Sequence, residues 1–209
     1  MAQGGSRTRK SYHHGNLRQA LVDATLALIE EKGPQGFTLA EAARGAGVSA
    51  AAPYRHFSGR EELIEEVARQ GFEIFADRLE AAFNDGAPSP LEAFFATGRA
   101  YLDFARREPG FYMAMFESGV TVASNPPLAL AAERAMSVLE RAAALLFGAL
   151  PPGQRPPASM VANHIWAMSH GVVGWCTRGA PGGRAPYSAA EMLESGTLIY
   201  LRGLGVIPS

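Results

Sequence analysis

The chain is poor in the features that would mark a secreted scaffold, a membrane protein or an enzyme. Cys176 is its only cysteine in 209 residues. That excludes an internal disulfide and a multi-cysteine metal centre, and it fits a reducing compartment. No apolar run approaches the roughly 18 residues of a membrane span. The opening MAQGGSRTRKSYHHG is basic but has no apolar core segment of a secretory signal, so a cytoplasmic location is expected. A Gly-x-Ser-x-Gly elbow, a P-loop, a dinucleotide fingerprint and a paired metal motif are all missing. Ser169-His170 is the one tempting nucleophile–base pair, and adjacent helix residues do not face each other. No catalytic residue, cofactor or bound metal is therefore expected. Strand-like alternation and internal repeats are also missing, which leaves an all-α chain. With 47% apolar and 19% charged residues, that chain suits a compact globular fold.

Charge is unevenly spread. Residues 1–60 carry eight basic and four acidic side chains, whereas the remainder carries 11 basic and 16 acidic. A basic head on an acidic body favours a local polyanion site, although such a surplus also arises as an ordinary surface fluctuation. Residues 1–11 form a polar, basic arm that could track phosphates or remain a solvated tail. His13-His14 lacks a third metal ligand nearby in sequence.

The pattern with most content is Phe37 to Phe57, FTLAEAARGAGVSAAAPYRHF. Thr38 and Glu41 make a capping box at a helix start. Leu39, Ala42 and Ala43 recur at helical spacing, and Gly45-Ala46-Gly47 ends the helix. Ser49 then caps a second short helix, in which Pro53 is the fourth residue. A helix, a glycine turn and a helix form the helix-turn-helix plan, whose second helix enters the major groove of DNA. Ser49, Ala50 and Ala51 offer a small face for close approach, and Tyr54, Arg55 and His56 offer phosphate or base contacts. Arg44 adds basic character nearby. Ser58 and Glu61 predict another capping box, opening a long helix from Arg60 to Phe83. A cation in that first turn opposes the helix dipole, which a DNA phosphate beside Arg60 would explain.

An apolar stripe from Asn16 (Leu17, Ala20, Leu21, Ala24, Leu28, Ile29) predicts a helix ahead of this pair. Downstream, capping signals and prolines predict helices from Ser89, over Phe111–Phe116, from about Leu128 to Leu150, over Pro157–Thr177 and over Ala189–Leu204, with a loop at Gly179–Pro186. Phe72, Phe75, Tyr101, Phe104, Phe111, Met115, Phe116, Trp166 and His170 are candidates to line an apolar effector pocket with a few polar handles, and equally serve as core.

Tyr12 to about Leu63 resembles the N-terminal domain of the tetracycline-repressor-like (TetR) family of bacterial regulators. The match is carried by Phe37-Thr38-Leu39, Ala42-Ala43, Ala46-Gly47-Val48-Ser49, Tyr54-Arg55-His56-Phe57 and Arg60-Glu61-Glu62-Leu63. Pro53 and Ala51 depart from the usual branched apolar residue and glycine. Trp166 to Gly171 resembles a Trp-His-Gly pattern of one C-terminal subgroup. The resemblance implies an all-α homodimer with DNA-binding helices in residues 1–60 and an effector-binding, dimerising bundle in 61–209. It implies phosphate contacts from Thr38, Tyr54, His56 and Arg60, and places Ala50, Ala51 and Arg55 near bases. It implies a regulator, most often a repressor, released from a near-palindromic double-stranded operator by a small apolar or amphipathic effector. A dimeric binding protein or an enzyme without a DNA role is the competing expectation.

Overall fold

The computed structural model describes residues 17–178 and 186–207. The basic arm, the His13-His14 pair, the Asn16 cap and most of the Gly179–Pro186 loop lie outside the described residues. Among the described residues the chain is all helical, as expected: α1 (Leu17–Lys32), α2 (Leu39–Gly45), α3 (Arg60–Phe83), α4 (Pro90–Arg107), α5 (Pro109–Phe116), α6 (Pro126–Phe147), α7 (Ala158–Arg178) and α8 (Ala189–Gly203).

The helix starts follow the capping chemistry in most places. Asn125 accepts a hydrogen bond from the Leu128 amide, and two prolines follow it where their missing N–H groups cost nothing. Ser188 and Glu191 form the reciprocal box of α8. At α4 Ser89 accepts from the Glu92 amide. The box predicted from Ser58 and Glu61 is not formed. Gly59 is the N-cap of α3 without a side-chain bond. Instead Glu62 reaches back one residue further and accepts from the Ser58 amide at 2.7 Å.

α3 organises the molecule. At about 1.5 Å per residue its 24 residues span about 36 Å. It packs on α1, α4, α5 and α6. The predicted stripe Leu63, Val67, Phe72, Phe75, Leu79 and Phe83 is buried throughout. α1 buries Leu21, Val22, Thr25 and Ile29. Its inward face is thus rotated from the predicted stripe, leaving Leu17, Ala20, Ala24 and Leu28 half-buried.

Gly71 sets how closely α3 and α5 approach. A Cβ there would lie 2.7 Å from Met115 Sδ and 3.2 Å from Phe111 Cβ. Gly71→Ala gains about 1 kcal/mol of helix propensity but overpacks a filled contact by about 1–3 kcal/mol. A net loss of about 1 kcal/mol is expected in urea unfolding, and a stabilised variant would show that the two helices separate freely.

Candidate nucleic-acid interface and effector core

α2 is held at both ends. Thr38 Oγ1 accepts from the Glu41 amide at 3.2 Å, and the Glu41 carboxylate accepts in return from the Thr38 amide at 2.8 Å. Lys32 closes on Glu41 at 2.8 Å. That bond, followed by those from Thr38, holds the Glu41 carboxyl at about 2. At the other end Gly47 takes φ 71°, a left-handed conformation open to glycine. The Val48 amide then bonds the Ala43 carbonyl and the Gly47 amide that of Arg44, which satisfies two terminal carbonyls. Val48 packs against the core below.

The predicted second helix is corrected. Ser49 to Phe57 is not a regular α-helix; only Pro53–Arg55 is helical, as a single 3-10 turn. Pro53 has no N–H for the Ser49 carbonyl four residues back. That carbonyl takes the Ala52 amide at 3.0 Å instead, three residues on. The tighter winding carries through the Arg55 and His56 amides, which bond Ala52 and Pro53. Pro53 and Phe57 are buried anchors. Ser49, Ala50, Ala51, Tyr54, Arg55 and His56 are exposed between and around them, with Tyr54 at 65%. Thr38 and Arg44 are exposed on α2.

Arg60 sits differently from the other DNA-contact candidates. Its guanidinium lies 4.8 Å above the Phe37 ring and donates to the Pro34 carbonyl and, at 3.2 Å, to Gln35. Its Nε–H is buried without a hydrogen-bond partner. The side chain therefore ties the start of α3 to the α1–α2 connection, which explains a cation in this first turn without DNA. Arg60→Ala is expected to destabilise the free protein by about 1–2 kcal/mol, from the lost cation–π contact and hydrogen bonds. Urea unfolding measures this, and an unchanged midpoint would contradict it.

A charged network that sequence reasoning missed sits nearly two turns further along α3. Glu66 is 7% exposed. It receives Arg18 of α1 at 2.9 Å, Arg69 at 2.8 and 2.9 Å, and Gln70 at 2.9 Å. Gln70 also pairs with Gln19 of α1. Burial pushes the Glu66 carboxyl up, but the bonds from Arg69, Arg18 and Gln70 outweigh it and hold it at about 2. The sequence signal for it was the placing of Arg69 and Gln70 three and four residues after Glu66, on one helix face.

The effector candidates come together. Phe75 meets Phe104, Tyr101 and Trp166 at ring separations of 4.8, 5.1 and 5.7 Å. Phe116 meets His170, Phe72 and Trp166 at 5.1, 5.6 and 5.9 Å. Phe111 and Met115 cover α3 around Gly71. His170 Nδ1 lies within hydrogen-bonding distance of the hydroxyls of Tyr101, at 3.1 Å, and Tyr112, at 2.9 Å. Tyr112 was not among the predicted residues, although it lies in the same short helix as Phe111 and Phe116. Burial, then Tyr112, pushes the Tyr101 hydroxyl well above its usual range, so it is a neutral hydrogen-bonding group. Most of these rings meet edge to face, Phe75 and Phe104 are tilted, and Tyr112 stacks on His170. None of the candidates lines the cavity of about 800 Å³ found between α4, α7 and the start of α8.

Residues 21–67 match the tetR family of bacterial regulatory proteins, and residues 94–198 match the tetracyclin repressor-like C-terminal domain. The chain belongs to the tetracycline-repressor-like family. It is 30% identical over 104 residues to the HTH-type transcriptional repressor KstR2 of Mycobacterium tuberculosis, covering 48% of this chain and 43% of that one. The chain spans about half the length of the curated relatives it matches. Among solved structures it resembles a Rhodococcus sp. RHA1 protein of unknown function at 28% identity and TM-score 0.74, over 93% and 98% of the two chains. It also shares the fold of AibR, solved in complex with isovaleryl coenzyme A and operator DNA, at 19% identity and TM-score 0.64, over 88% and 97%.

Proposed function

We propose that this protein is a ligand-responsive transcriptional regulator, a repressor that binds a near-palindromic operator as a homodimer. Its role is to bind and not to catalyse, in the cytoplasm and on the nucleoid. The observation that carries the reading is the exposed row from Ser49 to His56, held out from the core by Pro53 and Phe57 in a chain of this family. In our reading residues 1–60 form the DNA-binding part and 61–209 the effector-binding and dimerising part, with α3 belonging to both. Thr38, Tyr54, His56 and Arg44 grip phosphates, Arg55 reads a base edge, and Ser49, Ala50 and Ala51 let the backbone approach. Arg60 would join the phosphate contacts by turning from Pro34, Gln35 and the Phe37 ring, exchanging those contacts for a phosphate.

Dimerisation is assigned to α7 and α8. Met160, His164, Ala167, Gly171 and Trp175 are all exposed and recur at helical spacing along α7, and Ile199 is 70% exposed on α8. Such an apolar face on two neighbouring helices suits packing against its own copy.

The aromatic cluster is the element that senses the effector. α5 connects it to the DNA-binding part: Tyr112 and Phe116 touch His170, the Gly110 amide donates to Glu30 of α1, and Gln35 donates to the Ser118 carbonyl just beyond α5. An effector that repacks the rings changes where α5 and α3 hold α1. By linkage, DNA then lowers effector affinity by the same factor. A random-sequence duplex titrated at rising salt tests the basic face. Affinity is expected to fall steeply and linearly on logarithmic axes. Salt-independent association would sink the reading.

A further inference from the structure

We propose that the cavity between α4, α7 and the start of α8 binds an amphipathic anion, an aliphatic chain carrying one negatively charged head. The proposal rests on the reading of the chain as an effector-responsive regulator and names where that effector sits and its chemical class. At about 800 Å³ the cavity falls in the ~300–1,000 Å³ range of small-molecule sites. Its floor is apolar: Leu102 and Ala105 of α4, with Val173 and Cys176 of α7. Its rim holds three guanidiniums, Arg99, Arg106 and Arg107, against one carboxylate, Asp103.

The positive surplus is available to a ligand. Arg106 and Arg107 both lean on Asp103, at 2.6 and 2.7 Å, with side chains 70% and 61% exposed. Arg99 stands 4.0 Å from Glu92, and both are mostly in water. Exposed pairs of this kind contribute little and are easily exchanged. A planar guanidinium gains a bidentate bond when an anionic head replaces a shared partner. The N-terminus of α8 at Ser188–Ala189 lies at the same rim and adds a partial positive charge, tempered by Glu191, which caps it. A cation would meet three like charges, and a neutral chain would leave the rim unused.

The site also has a route to the aromatic cluster. Ala100, Leu102 and Asp103 of the cavity alternate along α4 with Tyr101 and Phe104 of the cluster. On α7, Val173 lies one turn beyond His170. A chain inserted between α4 and α7 therefore presses on the two helices that the Tyr101–His170 bond holds together.

Cys176 makes the test specific, because it is the only thiol and lines the cavity. The rate of its alkylation by N-ethylmaleimide is followed by intact mass with decanoate or 1-decanol below their aggregation concentrations. Decanoate is expected to slow the reaction at least tenfold at saturation, while 1-decanol at equal concentration has little effect. R106Q/R107Q, with an unchanged helical circular dichroism spectrum, is expected to need at least tenfold more decanoate. Equal protection by both compounds, no protection, or a thiol unreactive in the free protein overturns the anion site. DNA release is measured separately on selected duplexes. Release by decanoate supports the effector role, and protection without release overturns that role while leaving the DNA-binding reading standing.

Discussion

Glu66→Ala is expected to lower the free energy of unfolding by about 2–3 kcal/mol. Removing one partner from a fully buried ion pair costs about 3–5 kcal/mol, because a charge is left buried and alone. Here the abandoned partners keep some water: Arg18 is 46% and Arg69 25% exposed. The cost should therefore fall below that range, yet remain large, because three donors from α1 and α3 lose one acceptor at once. The pH dependence separates this carboxylate from its neighbours. Its pKa is depressed from 4.5 to about 2, so its contribution is full above about 4.5 and lost as pH falls towards 2. Glu41 is depressed in the same window, so the wild type alone cannot assign the loss. The stability difference between wild type and Glu66→Gln should persist from neutral pH down to about 4.5 and shrink below it. Urea titrations at a series of pH values measure this, and a difference that stays constant to pH 2 would contradict the assignment.

Arg55→Ala is expected to weaken binding to the operator by about 1–3 kcal/mol, roughly fivefold to more than a hundredfold, and to relax preference at one base position. The folded protein should be little affected, since Arg55 is exposed and ends the 3-10 turn without a role in the core. Few other side chains on this face can read a base. Ser49, Ala50 and Ala51 are short, and Pro53 is buried, so specificity rests on a small number of contacts and the loss of one is severe. The measurement is the affinity of wild type and variant across all single-base changes of a selected operator. A uniform loss at every sequence would make Arg55 a phosphate contact.

The N-terminal part of the fold was largely legible in the sequence because its signals are local. The Thr38–Glu41 box, the left-handed Gly47 and the buried α3 stripe each act within one or two helical turns. What failed locally failed for a local reason as well. A proline four residues past Ser49 was placed inside a short helix, whereas it leaves only the 3-10 turn Pro53–Arg55. Ser58 looked like a cap, but the chain enters α3 one residue later and uses Glu62. The long-range features were not legible. Nothing in the spacing of Arg18 and Glu66, 48 residues apart, announces a network, and nothing in Arg60 announces the Phe37 ring beneath it. The effector candidates were recovered as a cluster because aromatic residues in a helical bundle of this size converge. Their packing on one another, with the open volume on a neighbouring face of α4, depends on how three helices cross.

In the proposed function the exposed row from Ser49 to His56 reads DNA from two copies of the chain. Selection of bound duplexes from a random pool by the purified protein tests it most directly. Two inverted half-sites about 10–10.5 base pairs apart, or a multiple of that, are expected to be enriched, matching recognition elements about 34–36 Å apart. A bound pool indistinguishable from the input, at salt where non-specific binding is suppressed, would contradict it.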